Sequence, residues 1–255
     1  MKKRIVIKLG TGVLSTPAGK SLDTDQFTRL AAEIATLQKE GHSCILVSSA
    51  AIAAGVRVLK LKQRPDDLSG KQACAAAGQP ELMRLYATSF KKHGFAVAQL
   101  LLTHGDIDSF MRRDNARNTL NCLLERGAIP IINENDSVAV EELRFGDNDR
   151  LSAEVSILAQ ADHLIILTST DGLQDSHGKR VGKVRDISEA FRFVRPDKGE
   201  ESVGGMKTKL EAVRKVAAAG ISAHILDGRK PRQIHAALHG KDVGTSFPAR
   251  HHIKP

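Results

Sequence analysis

The sequence predicts an α/β fold, with a mainly parallel sheet covered by helices on both faces. Three observations predict it. Short runs such as Ile5 to Leu9 are almost wholly apolar, as strands buried on two sides should be. Longer stretches between such runs repeat apolar residues at helical spacing. Glycines mark the transitions, at Gly41, Gly127 and Gly220, and repeated β-α-β units of this kind build parallel sheets.

Taken in order, Ile5 to Leu9 is the first strand, and Lys8 interrupts it near its carboxyl end. A lysine there is either on an edge strand in solvent or set against an anion. A glycine-rich turn, Gly10-Thr11-Gly12, follows. Leu22 to Glu40 reads as a helix, with Asp23 and Gln26 spaced as a capping box and Phe27, Leu30, Ala31, Ile34 and Leu37 on one face. Cys44 to Val47 is the second strand. A helix from about Lys71 to Lys92 precedes a strand at Ala96 to Leu102, and a helix from about Asp114 to Arg126 precedes one at Ala128 to Ile132. Leu151 to Gln160 is a helix leading into a strand at His163 to Leu167. Met206, Leu210, Val213 and Ala217 mark a helix that ends at Gly220; Ile221 to Leu226 is a strand, and a short helix opens at Pro231. Asp175 to Arg185 and Arg195 to Gly205 read as exposed loops. No repeat or linker divides the chain, so residues 1–255 are expected to form a single domain.

Composition bounds the function. With 41% hydrophobic and 26% charged residues over 255 positions, the chain is globular and not disordered. A net charge of +9 suits anionic ligands. Eight Phe, one Tyr and no Trp weigh against a protein that stacks single-stranded bases on aromatic side chains. Cys44, Cys74 and Cys122 form no CxxC pair, which argues against a disulfide framework or a zinc site and for a reducing, cytoplasmic setting. No apolar stretch approaches the ~20 residues a membrane helix needs.

Ligands of open parallel sheets bind beyond the carboxyl ends of the strands. Those ends carry Lys8 to Gly12, Ser48 to Ala50, Asn133 to Asp136, and Thr168 to Gly172. Standard nucleotide fingerprints are absent: there is no GxxxxGK[ST], and Gly10 to Ser15 fails GxGxxG at its last position. Gly204-Gly205-Met206-Lys207-Thr208-Lys209 opens a helix whose first turn carries two lysines, against the helix dipole. A bound anion resolves that conflict; Glu200 and Glu201 are the plainer compensation. Asp147-Asn148-Asp149 precedes a helix, where Asp149 serves either a site or a helix cap. His235 and His239 lie four apart but lack the Glu of HExxH, so a solvated helix face is the better reading.

Taken together these pieces resemble the amino acid kinase family, most closely its members that phosphorylate free L-glutamate. The likeness runs in order through IVIKLGTGVL, VSSAAIAAG, KQACAAAGQPELM, ARNTL, IPIINENDSV, FGDNDRLSA, ILTSTDGL and GGMKTKL. It implies a three-layer αβα sandwich with an open sheet, and transfer of the ATP γ-phosphoryl group, with Mg2+, to the glutamate side-chain carboxylate. Product formation would be the first step of proline synthesis. Position by position, Lys8 and Lys209 match the family lysines that contact phosphates, and Asp149 the aspartate that organises them. Ser49, Asp136 and Asn148 match the glutamate-binding positions. Gly10, Thr168, Ser169 and the segment Val203, Gly204, Gly205, Met206, Lys207, Thr208 and Lys209 match the ATP-binding positions, and no protein metal ligand is implied.

The resemblance further implies a homo-oligomer and feedback inhibition by proline through the loop Glu141 to Asp149. Many such proteins carry a C-terminal PUA domain, and the chain, ending at Pro255, is expected to lack one. That expectation and the scarce aromatics weigh against nucleic acid as a partner. Three residues depart from the pattern: Ala50 where glycine is usual, Ser169 in place of aspartate, and Lys207 where a small residue is common. The competing enzyme reading is a kinase of the same fold acting on acetylglutamate, aspartate or UMP.

Overall fold

Strands β1 (Arg4–Leu9), β2 (Ser43–Ser48), β3 (Val97–Leu102), β4 (Ile129–Glu134), β5 (His163–Thr168), β6 (Ser222–Asp227) and β7 (Thr245–Phe247) form one seven-stranded sheet in the order β3-β4-β2-β1-β5-β6-β7. All neighbours are parallel except β6 and β7. The computed structural model describes residues 2–16, 21–139, 148–194 and 205–249. Helices α1 (Thr11–Leu14), α2 (Thr24–Lys39), α3 (Ala51–Val58), α4 (Leu68–Lys91), α5 (His104–Asp108) and α6 (Phe110–Glu125) belong to the first half. In the second half lie α7 (Asp149–Leu158), α8 (Ile187–Ala190), α9 (Met206–Ala218) and α10 (Gln233–Leu238).

Alternation along the strands builds the layers. Ile5, Ile7 and Leu9, with Leu46 and Ile165, pack against Phe27 and Ile34 of α2 and Leu82 and Phe90 of α4. Val6, Val47, Leu164 and Ile166 point the other way, onto Leu120 of α6, Leu151 and Val155 of α7, and Leu210 and Val213 of α9. The result is a three-layer αβα sandwich. Lys8 shares the parity of Val6, so its side chain is aimed at α7 and α9 and not at α2.

Strand β1 lies between β2 and β5, and the chain departs from it to opposite sides. This is a topological switch point, where the connections diverge and leave a crevice at the carboxyl ends. Lys8 is therefore on a central strand, which removes the edge-strand reading.

Several elements differ from the sequence expectation. The turn after β1 winds into the four-residue α1. Only half of the capping box forms: Asp23 accepts the Gln26 N–H, while the Gln26 side chain donates to the Val13 and Gly228 carbonyls. Helix α6 starts at Phe110, earlier than periodicity suggests, because Phe110 and Met111 are exposed and break the apolar pattern. The short α3, α5 and β7 carry too few residues for a period to register. Helices α3 and α4 meet backbone to backbone. A Cβ on Gly55 would stand 1.8 Å from the Cys74 carbonyl oxygen, and one on Gly78 1.9 Å from that of Ala51.

Candidate active site

At the carboxyl end of β1 three charged side chains are buried together. Lys8 Nζ lies 2.9 Å from Asp149 Oδ1, and the two side chains are 2% and 1% exposed. Lys209 Nζ donates to Asp149 Oδ2 at 3.1 Å, and Thr208 Oγ1 donates to the same oxygen at 2.8 Å. Asp149 is the first residue of α7, and Asn148 holds the cap position without a side-chain cap bond, so the carboxylate is spent on lysines and not on the helix end. All three charged groups are nearly closed off from water, where charges are tolerated only when paired and hydrogen-bonded.

A second cluster, centred on a buried carboxylate with two of its cations half exposed, holds the helices that present these groups. Glu154 on α7 accepts from His104 Nδ1 at 2.7 Å, Arg150 Nε at 3.0 Å and Lys215 Nζ at 2.8 Å. Burial pushes this carboxyl up, but the hydrogen bonds from His104 and Lys215 outweigh it and hold it at about 2. The same bond to Glu154 raises the His104 imidazole. Helices α5, α7 and α9 are thereby tied together, which keeps Lys209 opposite Asp149.

Beside the triad opens a cleft of about 720 Å³. Ser49, Asn133 and Asp136 line it from the ends of β2 and β4, Asn148 from the start of α7, and Arg57, Lys60, Lys62 and Arg64 from α3 and the segment after it. The Ser49 hydroxyl oxygen is buried without a hydrogen-bond partner among the described residues. Asp136 is pushed up to about 7 by burial first and by neighbouring Glu134 second, while Arg64 pulls it the other way. Asn148 Nδ2 donates to the Ser48 carbonyl and, at 2.7 Å, to Asn133 Oδ1. The three positions matched to glutamate thus share one cavity.

The described positions matched to ATP do not line that cleft. Thr168 ends β5 and Ser169 follows it, exposed, next to the turn after β1: a Cβ on Gly12 would lie 3.7 Å from Ser169 Oγ. A Cβ on Gly10 would lie 3.6 Å from Lys8 Nζ. Gly205 caps α9, Met206 opens it, and Lys207 is exposed on its first turn. Val203 and Gly204, like Asp147, Glu200, Glu201 and most of the loop Glu141 to Asp149, lie outside the described residues. His235 and His239 stack with centroids 4.0 Å apart, and His239 Nδ1 bonds the His235 carbonyl oxygen. Among the described residues no group of three His, Cys, Asp or Glu side chains is arranged to hold a metal.

Residues 3–227 match the model of the amino acid kinase family. The chain is 46% identical over 253 residues to the glutamate 5-kinase of Thermus thermophilus, covering 97% of this chain and 68% of that protein. It is 44% identical over 261 residues to the glutamate 5-kinase of Anaeromyxobacter dehalogenans, with 98% and 68% covered. The chain belongs to the glutamate 5-kinase branch of the amino acid kinase family. Solved structures agree on the fold. UMP kinase from Bacillus anthracis superposes with a TM-score of 0.64 at 16% identity, covering 97% of this chain and 96% of that one. N-acetylglutamate synthase from Neisseria gonorrhoeae gives 0.67 at 15%, covering 97% and 62%.

The fold of this family explains the departure at Ala50. Its backbone is left-handed, with φ 80° and ψ 9°, at the N-cap of α3. Glycine adopts that conformation freely and alanine does so at a cost, so the usual glycine has a physical reason and Ala50 carries strain into the cleft wall. Beyond the basic residues Arg57, Lys60, Lys62 and Arg64 of the cleft wall, two further contributors were not assigned a site role from the sequence. Asn133 was visible as part of a polar strand end; Gln79, inside an alanine-rich helical run, had no signal beyond being polar on a face that α4 buries.

Proposed function

We propose that this chain transfers the γ-phosphoryl group of ATP to the side-chain carboxylate of L-glutamate, giving L-glutamyl 5-phosphate as the first step of proline synthesis. The observation that carries the reading is the buried Lys8–Asp149–Lys209 triad, which adjoins through Asn148 a cleft lined by Ser49, Asp136 and Asn148. A glutamate carboxylate is ionised at neutral pH, so the nucleophile needs no general base. What the protein supplies is alignment of two anions and compensation of the charge that develops between them. Lys8 and Lys209 are the catalytic cations; Asp149 is their organiser. Ser49, Asp136 and Asn148 hold the amino acid.

Gly10, Thr168, Ser169 and the start of α9 hold ATP. The Asp149 oxygens face Lys8, Thr208 and Lys209, so Mg2+, if bound, would come with the nucleotide and would supply screening of phosphate charge. The described residues, all hung on one sheet, act as one catalytic domain. No described helix is long and apolar enough to cross a membrane, and free Cys44, Cys74 and Cys122 suit a reducing cytoplasm. Proline, whose ring nitrogen is likewise a cationic (secondary) ammonium next to a carboxylate, competes at Asp136, and the chain works as a homo-oligomer.

An acceptor panel tests the function. With ATP, glutamate is expected to be turned over and trapped by hydroxylamine as the hydroxamate. Turnover of UMP, aspartate or acetylglutamate with none on glutamate would replace this reading. Unchanged glutamate kinetics in saturating proline would remove the inhibitor from it, and a monomer by solution scattering would remove the oligomer.

A further inference from the structure

Four side-chain amides run in a line from the surface to the cleft. Gln79 Nε2 on α4 donates to Gln99 Oε1 on the exposed face of β3 at 2.8 Å. Asn133 Nδ2 donates to Gln79 Oε1 at 2.9 Å, and Asn148 Nδ2 donates to Asn133 Oδ1 at 2.7 Å. An amide group turned over has almost the same shape, so the direction of such a line must come from groups whose roles are fixed.

Two groups of that kind anchor it. The Ser48 main-chain carbonyl can only accept, and it faces Asn148 Nδ2. The Glu134 main-chain N–H can only donate, and it bonds Asn133 Oδ1 at 3.0 Å. With both fixed, Asn133 must turn its nitrogen to Gln79, and Gln79 must present oxygen to Asn133 and nitrogen to Gln99. The consequence reaches the cleft. Asn148 spends its nitrogen twice inside the protein, so Oδ1 is the atom it has left, and Asn148 lines the cleft with Asp136. Two oxygen acceptors lining one cleft suit an ammonium group and repel a carboxylate.

We propose that Gln79 is a positioning residue: by holding Asn133, and Asn133 holding Asn148, it makes the cleft read the α-ammonium group of its acceptor. The inference rests on the reading of this cleft as the amino-acid site. Without the Gln79 oxygen, Asn133 Nδ2 is buried with no acceptor, a state costly enough to turn the side chain and release Asn148.

The test compares glutamate with glutarate, the same dicarboxylate without the ammonium group, as ATP-dependent acceptors. Gln79→Leu is expected to lower kcat/KM for glutamate about tenfold, through KM, and to leave glutarate within about twofold. The KM for ATP stays unchanged. Gln79→Glu keeps the wild-type preference, because its carboxylate still accepts from Asn133 while Gln99 turns over to donate. Equal losses on both acceptors, or a Gln79→Leu protein that behaves as wild type, overturn the proposal. A wild-type protein that ignores glutamate overturns the site reading and this inference with it. Should Gln79→Leu fail to fold, Gln99→Leu, at the solvent end of the line, is expected to shift the preference the same way by about threefold; no shift overturns the proposal.

Discussion

Replacing Asp149 by asparagine keeps the side-chain shape and deletes the charge on which the triad depends. The carboxylate is 1% exposed, 2.9 Å from Lys8 Nζ and 3.1 Å from Lys209 Nζ. Removing one partner of a buried ion pair costs about 3–5 kcal/mol, because the remaining charge stays in a poorly screening interior. Asparagine retains an oxygen for one of these donors, which places the expected loss near the lower end, about 3 kcal/mol. For a chain of this size that corresponds to a fall in Tm of roughly 6–12 °C. Urea unfolding and calorimetry measure the loss, and steady-state assays below the new Tm measure the chemistry. There kcat is expected to fall by about two orders of magnitude or more, since both cations lose their alignment. A variant within about 1 kcal/mol of wild type that also keeps kcat within about threefold would refute the reasoning at both levels.

Other predictions follow from the same structure. Ala50→Gly relieves a left-handed alanine but loosens the unfolded chain and loses a methyl group, so a net gain of about 0.5 kcal/mol in urea unfolding is expected, while Ala50→Val loses several times that. Asp136 titrates at about 7 in the folded chain against a reference of 3.8. The folded state then binds the extra proton, so unliganded stability declines as pH rises from about 4 to about 7; KM for glutamate falls over the upper part of that window as the carboxylate ionises. Asp136→Asn should flatten the first profile and abolish the second. His163 and His224 are held near 4 by burial first, with Lys3 Nζ 3.0 Å from His163 Nε2 and the two rings 5.7 Å apart. Their lowered values make stability complete above pH 6.5 and progressively lost as pH falls from there toward 4. A doubly substituted His163→Gln, His224→Gln protein that melts with the same acid dependence as wild type would contradict this assignment.

The layers were legible because they rest on period. Strands β1, β2 and β5 are apolar on both faces, and α2 repeats Phe27, Leu30, Ile34 and Leu37 without a break. Helix α3 follows β2 after only Ser49 and Ala50, and its eight residues give no punctuation to read. Within its own strand Lys8 was legible only as an anomaly, with edge and interior equally open; the family resemblance singled it out as a phosphate lysine, and the placement of β1 between β2 and β5 sets it in the interior. The Asp149 partnership joins residues 60 positions apart, which spacing along a chain cannot disclose. Gln79 is harder still, because its contribution lies in the direction of an amide, set by two main-chain groups on other elements.

The most direct measurement follows an atom. Glutamate carrying heavy oxygen in its side-chain carboxylate is incubated with ATP, Mg2+ and hydroxylamine, and the released phosphate is weighed by mass spectrometry. If the carboxylate attacks the γ-phosphorus and ADP leaves, hydroxylamine then takes the acyl carbon, and each phosphate departs with a single heavy oxygen from glutamate. Phosphate without the label, formed at the rate of ATP consumption, would mean that water and not glutamate is the acceptor, and the account built on the Lys8–Asp149–Lys209 triad would fail.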